Sequence, residues 1–461
     1  MKFPRLVSLA LSAALILPAA STTTWEINTW ADFLKGKFRG LKLSRDGALA
    51  IAPNPEVFFD PSQPAIWAAA IAPDGSLWLG TGHRGGLYRV DANGKGQLIW
   101  TAPQSQIFAL AADPSGAIYA ATSPRGKVYR IENNQAREYF DPREAFIWSL
   151  AVAKDGALLV GTGEQGKIYR VTGPSRGELY YDTGQSHITA LAFDPRGRLL
   201  AGSEPNGILY RISAKDQAFV LYDALLPEIR AILPGSDGSL YVAALGGSLA
   251  KKTSAPSNPT TSGSSPTVTA PAISITVTDE AQAGLDVKPK SSTESKPAAA
   301  TTTTPTATTV EYAGVEKAAI YRIAPDNTVE TLWSSKEENV YDLAEDQGQL
   351  LFATDLQGRI YRLDGDRKLS LVAQAGDSEV TRLVPNGRRL LVISSNPGQV
   401  WRLEGPGALG QFESPVHDAN NTARWGRLFA RTRGTVKYQT RSGNALRPDK
   451  TWSPWQAVSP E

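Results

Sequence analysis

A Tyr-Arg pair recurs along the chain at a nearly constant interval, and that interval restricts the fold more than any other feature. The pairs are Tyr88-Arg89, Tyr129-Arg130, Tyr169-Arg170, Tyr210-Arg211, Tyr321-Arg322 and Tyr361-Arg362, with Trp401-Arg402 in the seventh place. Successive steps are 41, 40, 41, 111, 40 and 40 residues. Each pair closes a stretch such as "GTGEQGKIYR" (161–170) or "ATDLQGRIYR" (353–362). A period near 40 residues made of short strands is that of a propeller blade. The one long step reads as a repeat carrying 70 inserted residues (111 minus 41).

One period divides into four strand-like runs. "HITALAFD" (187–194) is almost continuously apolar, as an inner strand buried between neighbours must be. A "PRG", "PDG" or "KDG" turn follows, with Gly and Asp supplying the backbone angles of a tight hairpin. Then come "RLLAG", the Gly-rich turn, "GILYRI" and an outer run, "FVLYD" (219–223). "EVFFD" (56–60) matches the outer pattern, whereas the last repeat (380–403) supplies only three strands. Residues 57–60 are therefore expected to complete that repeat and close a ring, which removes the open strand edge. The expected fold is all-β: a seven-bladed β-propeller over 56–403, closed by an N-terminal strand.

The attachments differ in composition from the ring. "MKFPRLVSLALSAALILPAAS" (1–21) has two cationic residues, an apolar run over 6–17 and small residues at its end, the pattern of a secretory signal peptide. The run is too short to span a bilayer, and nothing later approaches the length of a membrane span, so periplasm or cell exterior is the expected destination. The chain has no cysteine, which excludes disulfides and thiolate metal sites. The formal charge of +3 falls to +1 without Lys2 and Arg5 (3 minus 2), too balanced for a nucleic-acid footprint. Residues 22–55 read as an extension with a short helix at 29–34 and two strands packed on the ring. Residues 247–317 form a Ser/Thr/Pro/Ala-rich insertion, expected to be disordered, in the second-to-third strand turn of blade five. Residues 404–461 read as a C-terminal β segment, either a small appendage or the front half of a truncated β-sandwich, since a whole one needs about 100 residues.

The stretch "PDGSLWLGTGHRGGLYRVD" (73–91) resembles repeats of bacterial regulator-type propellers. More loosely, the ring is similar to NHL, WD-repeat-like and streptogramin-lyase-like propellers, although the Trp-Asp dipeptide of the WD repeats is absent. The "ARWGRL…YQTRSGN…TWSPW" pattern resembles sandwich modules that follow such propellers in secreted bacterial proteins. This resemblance implies a fold and no single activity, because these propellers include sensors, scaffolds and enzymes.

In a propeller the residue leading into each inner strand lines one mouth of the channel. Those residues are Ala65, Gln106, Phe146, His187, Glu228, Asn339 and Glu379. The turns between second and third strands form a second ring: His83-Arg84, Arg125, Glu164-Gln165, Glu204, Asp355 and Asn396. From these, Gln106, Phe146, His187, Glu228, Asn339 and Glu379, with His83, Glu164 and Glu204, are the candidate ligand-binding residues. A histidine oriented by a carboxylate can do acid–base work, so His187 with Glu228 and Glu379 defines an enzymatic alternative. The lyase-like resemblance implies a catalytic histidine with acidic metal ligands, and a lactonase-like one a Glu/Asn/Asp calcium cage. Glu228, Asn339 and Glu379 have cage chemistry, with no aspartate among them. No cofactor is expected; Ca²⁺ or Mg²⁺ would require several of these oxygens to converge. No "GxSxG" and no glycine loop leading into a lysine-bearing helix occurs. The Tyr-Arg pairs, and the inner-strand aromatics Trp67, Phe108, Trp148 and Tyr341, read as packing. The leading expectation is an exported, non-enzymatic β-propeller scaffold for a protein, peptide or glycan, with no nucleic-acid partner and no membrane span. The alternatives are a lyase- or lactonase-like enzyme at the channel mouth and a cell-envelope structural protein.

Overall fold

In each repeat an apolar inner strand is followed by a second strand whose side chains are almost all buried. Leu77–Thr81, Ile118–Ser123 and Leu158–Gly163 are buried at every position, because both faces of these strands meet neighbouring repeats. The computed structural model describes residues 22–246 and 316–461, apart from 377, 388, 406, 421 and 422. The signal peptide expected over 1–21 and all but the last two residues of the insertion expected over 247–317 lie outside the described residues. The strands flanking that insertion pair directly, from Leu245↔Ala318 to Leu240↔Ile323.

The repeats are four-stranded antiparallel meanders, joined by two rows of apolar and aromatic side chains and carrying a third row besides. The innermost row is Ile66, Ile107, Ile147, Ile188, Ile229, Val340 and Val380, all with no solvent exposure. Gly202 shows how close this packing is: a Cβ there would lie 2.5 Å from Ile229 Cγ2 of the following repeat. A second row contains the tyrosines of the Tyr-Arg pairs, each set against an aromatic of the preceding outer strand. The ring centroids are 4.6 Å apart for Trp100–Tyr129, 5.6 Å for Phe140–Tyr169 and 4.9 Å for Tyr222–Tyr321. Edge and tilted geometries of this kind suit the ring quadrupoles. The third row is polar, and several of its arginines reach the carboxylate of their own first hairpin: Arg89–Asp74 at 2.6 Å and Arg322–Asp237 at 2.8 Å.

The chain forms an all-β, propeller-like fold, but its hydrogen bonding corrects the expected count of seven separate blades. The ring contains six sheets of four or more strands. Glu56–Ile71 is one unbroken strand, pairing with Arg389–Leu403 at its start (Val57↔Trp401, Phe59↔Val400) and with Leu77–Thr81 at its end (Ile66↔Thr81). It thereby joins the last repeat and the first into a single six-stranded sheet. Thr381 Oγ1 also donates to the Ile66 carbonyl at 3.0 Å, and Ser395 Oγ to the same oxygen at 3.3 Å.

The extension starts with the helix Trp30–Leu34, closed by a capping box: Thr29 Oγ1 accepts from the Asp32 amide at 3.2 Å, and the Asp32 carboxylate accepts from the Thr29 amide at 3.2 Å. Its hairpin, Leu41–Ser44 and Leu49–Ile51, adds to the outer edge of the sixth repeat through Leu43↔Leu371, making that sheet six-stranded. A buried ion pair fixes the contact. Arg359 donates to Glu338 at 2.7 Å and to the Leu34 carbonyl at 2.6 Å, while Tyr361 donates to the same Glu338 oxygen at 2.8 Å.

After residue 403 the described chain has three short strands. Gln411–Glu413 pairs with Lys37–Arg39 of the extension, and Tyr438–Thr440 with Gln456–Val458. For this segment, expected as a small β appendage or the front half of a truncated sandwich, the described residues give two separate two-stranded pairings. Phe429 and Leu446 are 72% and 78% exposed, so these strands enclose no core of their own. Among the described residues no helix is long and apolar enough to cross a membrane.

Candidate functional site

The same irregularity occurs in every inner strand. The pairing ladder skips one residue, and the skipped residues are Trp67, Phe108, Trp148, Thr189, Arg230, Tyr341 and Thr381. Each follows directly after the buried Ile or Val of the innermost row. A bulge leaves its residue unpaired and re-aims the side chain. Seven side chains of five kinds thus stand at equivalent positions, and all but Thr189 fall into two groups that share Trp67.

The first group is an aromatic arc. Ring centroids are separated by 6.1 Å for Trp67–Phe108, 4.8 Å for Phe108–Trp148 and 5.9 Å for Trp148–His187, and Phe146 stacks on Trp148 at 5.0 Å. Two indoles of the arc donate to the first residue of the next inner strand: Trp67 to Gln106 Oε1 at 2.8 Å and Trp148 to His187 Nδ1 at 3.1 Å. The backbone amide of Glu164 also donates to His187 Nδ1, at 3.3 Å. With Nδ1 accepting twice, the neutral ring carries its proton on Nε2. The partners of His187 are therefore an indole and an amide, not the carboxylate that the enzymatic alternative requires.

The second group surrounds a cavity of about 350 Å³, lined by Trp67, Glu228, Arg230, Leu245, Asn339, Tyr341, Glu379 and Thr381. Three residues expected at the channel mouth, Glu228, Asn339 and Glu379, meet here. Glu228 is buried and lies 3.4 Å from Arg230, whose guanidinium sits 5.6 Å over the Tyr341 ring. Asn339 is held by Asp355, which accepts from its backbone amide at 2.9 Å and from its side-chain NH₂ at 2.8 Å. Its side-chain oxygen is buried without a hydrogen-bond partner. Burial, together with the nearby charges of Asp355 and Glu379, pushes the Tyr341 phenol up to about 12, so it stays protonated.

The remaining expected residues fall elsewhere. Gln106 touches the cavity only through Trp67, and Phe146 and His187 belong to the arc. His83 and Glu164 are exposed, and Glu204 half-buried, on the outer turns; none of the three lines the cavity. Among the described residues no three His, Asp or Glu side chains come together as a metal-ligand group.

Sequence reasoning missed Arg230, Leu245 and Thr381 as lining residues and read Trp67 and Tyr341 as packing. Trp67, Phe108, Trp148 and Tyr341 are half-buried rather than buried. The available signal was positional: each stands two residues after the one that leads into an inner strand.

No family model matches the chain, and no curated protein matches it. Solved structures share the fold. A catalytically inactive virginiamycin B lyase from Staphylococcus aureus with quinupristin superposes with a TM-score of 0.55 at 12% identity, covering 76% of this chain and 98% of that one. YCF48 bound to D1 peptide gives 0.50 at 12% identity, over 78% and 99% of the two chains. The extracellular domain of the hybrid two-component system BT4673 from B. thetaiotaomicron gives 0.51 at 10% identity, over 76% and 39%. At these identities the likeness is one of fold: this chain is a β-propeller.

Proposed function

We propose that the chain is an exported, non-enzymatic scaffold of seven repeats that binds a protein, peptide or glycan segment at the axial cavity. The observation that carries this reading is the repeated bulge geometry with varied side chains: a uniform frame holds seven side chains of five kinds at one level. Rigid presentation of differing side chains is how a repeat fold builds a binding site. The cavity combines aromatic faces with a few convergent polar groups, the usual make-up of a ligand pocket. The peptide bound by a propeller of similar fold, YCF48, supports the peptide form of the reading.

The test screens residues 22–461 against peptide and glycan arrays, then measures the strongest hits by calorimetry. Trp67→Ala is expected to weaken binding at least about tenfold, the scale of a buried aromatic anchor, while His187→Ala leaves it unchanged. Hydrolysis or elimination activity on lactone or depsipeptide substrates that disappears in His187→Ala would establish the enzymatic alternative instead. Binding lost only on removing 404–461 would favour an envelope structural role.

A further inference from the structure

We infer that the axial cavity selects a ligand bearing a protonated amine, such as a lysine side chain or a free amino group. This rests on the binding reading above and adds the chemistry of the ligand. Three carboxylates, Glu228, Asp355 and Glu379, act at the cavity, against one lining cation, Arg230. Glu228 and Arg230 are paired at 3.4 Å, and the neighbouring Arg382 is matched by Asp342 at 4.0 Å. The charges of Glu379 and Asp355 are left over. Among the neutral lining side chains other than the Tyr341 hydroxyl, the hydrogen-bonding capacity has the same bias. Asn339 directs both described donor contacts at Asp355, which leaves its buried carbonyl oxygen as an unmet acceptor. The Thr381 hydroxyl donates to backbone carbonyls, and the Trp67 N–H to Gln106. The cavity thus presents acceptors, a surplus of negative charge and the rings of Trp67 and Tyr341. A donor-rich cation satisfies all three, since ammonium has three donors and no acceptor and is attracted to an aromatic face. An anionic ligand would find donors in the Tyr341 hydroxyl and in Arg230, whose Nε has no partner, but it would also face the carboxylates of Glu379 and Glu228.

The experiment titrates the protein with Nα-acetyl-lysine methylamide, its norleucine counterpart and its glutamate counterpart by calorimetry. The lysine probe is expected to bind about tenfold or more tightly than the norleucine probe. Glu379→Gln should reduce that preference, and Arg230→Gln, which removes the competing cation, should raise it. Equal binding of norleucine, or tighter binding of glutamate, overturns the inference, and so does a lysine preference unchanged by Glu379→Gln. The wild-type comparison stands by itself if a variant fails to fold. Should array ligands depend on Trp67 while the probes show no preference, only this inference falls. If no array ligand depends on Trp67, the binding reading falls as well.

Discussion

Two glycines at the channel mouth make room for two indoles, and their surroundings give opposite expectations for the same substitution. A Cβ on Gly82 would lie 2.4 Å from Trp67 Nε1 and 2.7 Å from Gln106 Oε1. On Gly163 it would lie 2.3 Å from Trp148 Nε1 and 3.0 Å from His187 Nδ1. Neither contact can persist, so alanine must displace the indole and its hydrogen bond. Each variant should lose about 1–3 kcal/mol of stability, the range for overpacking, measured as a lower midpoint in denaturant. Their effects on ligand should differ. Trp67 lines the cavity and Trp148 does not, so Gly82→Ala should weaken binding and Gly163→Ala should spare it. Equal losses in both would place the ligand on the aromatic arc instead. At this scale the sequence was informative about the residue that leads into each inner strand and uninformative about the one two places further on. Glu228, Asn339 and Glu379 were legible because a polar residue preceding an apolar run has to face water or a site. Arg230 and Trp67 were not, because an inner strand buried on both faces lacks the alternation that shows which side chain points where, and a one-residue bulge then shifts the pattern.

Hairpins between first and second strands repeat a second device, an aspartate that accepts from its own turn and from the arginine of the third strand. The Asp74 carboxyl is held below its ordinary value by the Ser76 hydroxyl and amide, with Arg89 adding to this. Asp155 is held down by the Ala157 amide, with Arg170 adding to it against the opposing effect of burial. A carboxylate with a lower value in the folded chain than in the unfolded one stabilises the fold above the unfolded value, and that contribution vanishes as pH falls through the folded value. Melting temperature should therefore drop as pH is lowered from about 6 to about 3. In the Asp74→Asn/Asp155→Asn double variant the drop should be shallower, with the lower stability already present at neutral pH. Both side chains are more than half exposed, so salt should blunt the difference. An unchanged acid slope would assign acid sensitivity to other groups. The elements themselves were legible, because the Tyr-Arg period and the Gly-Asp turns mark where strands end. The boundary lost was the one over 60–65, between the closing strand expected over 57–60 and the inner strand expected after Ala65. The chain instead stays extended there and carries one sheet into the next, with Ser62 absorbing the bend at a positive φ of 55°.

That continuous strand decides how the whole ring is held. Its first half completes the last repeat, with Phe59 packing 5.9 Å from Tyr88 of the first, and its second half begins the first repeat. Closure is thus covalent through residues 60–65 and is reinforced by the two hydroxyls on the Ile66 carbonyl. Without the first half, the strand ending at Leu403 would present an unpaired edge, the feature that repeat folds must cap or close. The extension adds a second fastening, because the buried Arg359, paired with the buried Glu338, donates to the Leu34 carbonyl. These two fastenings can be separated experimentally. A chain beginning at residue 61 loses both, whereas Glu338→Ala in the full chain leaves Arg359 buried without its carboxylate and loosens the second alone. Breaking one partner of a buried pair costs about 3–5 kcal/mol, and Glu338→Ala should lose an amount of that order while still unfolding in one cooperative transition. The shortened chain should lose more, and its transition should broaden or divide, because repeats at an open edge can fray independently of the rest. Calorimetric scans of the two variants at equal concentration make the comparison. A shortened chain that melts as sharply as the full one would mean that the inner row of Ile and Val residues, not the shared strand, holds the ring closed.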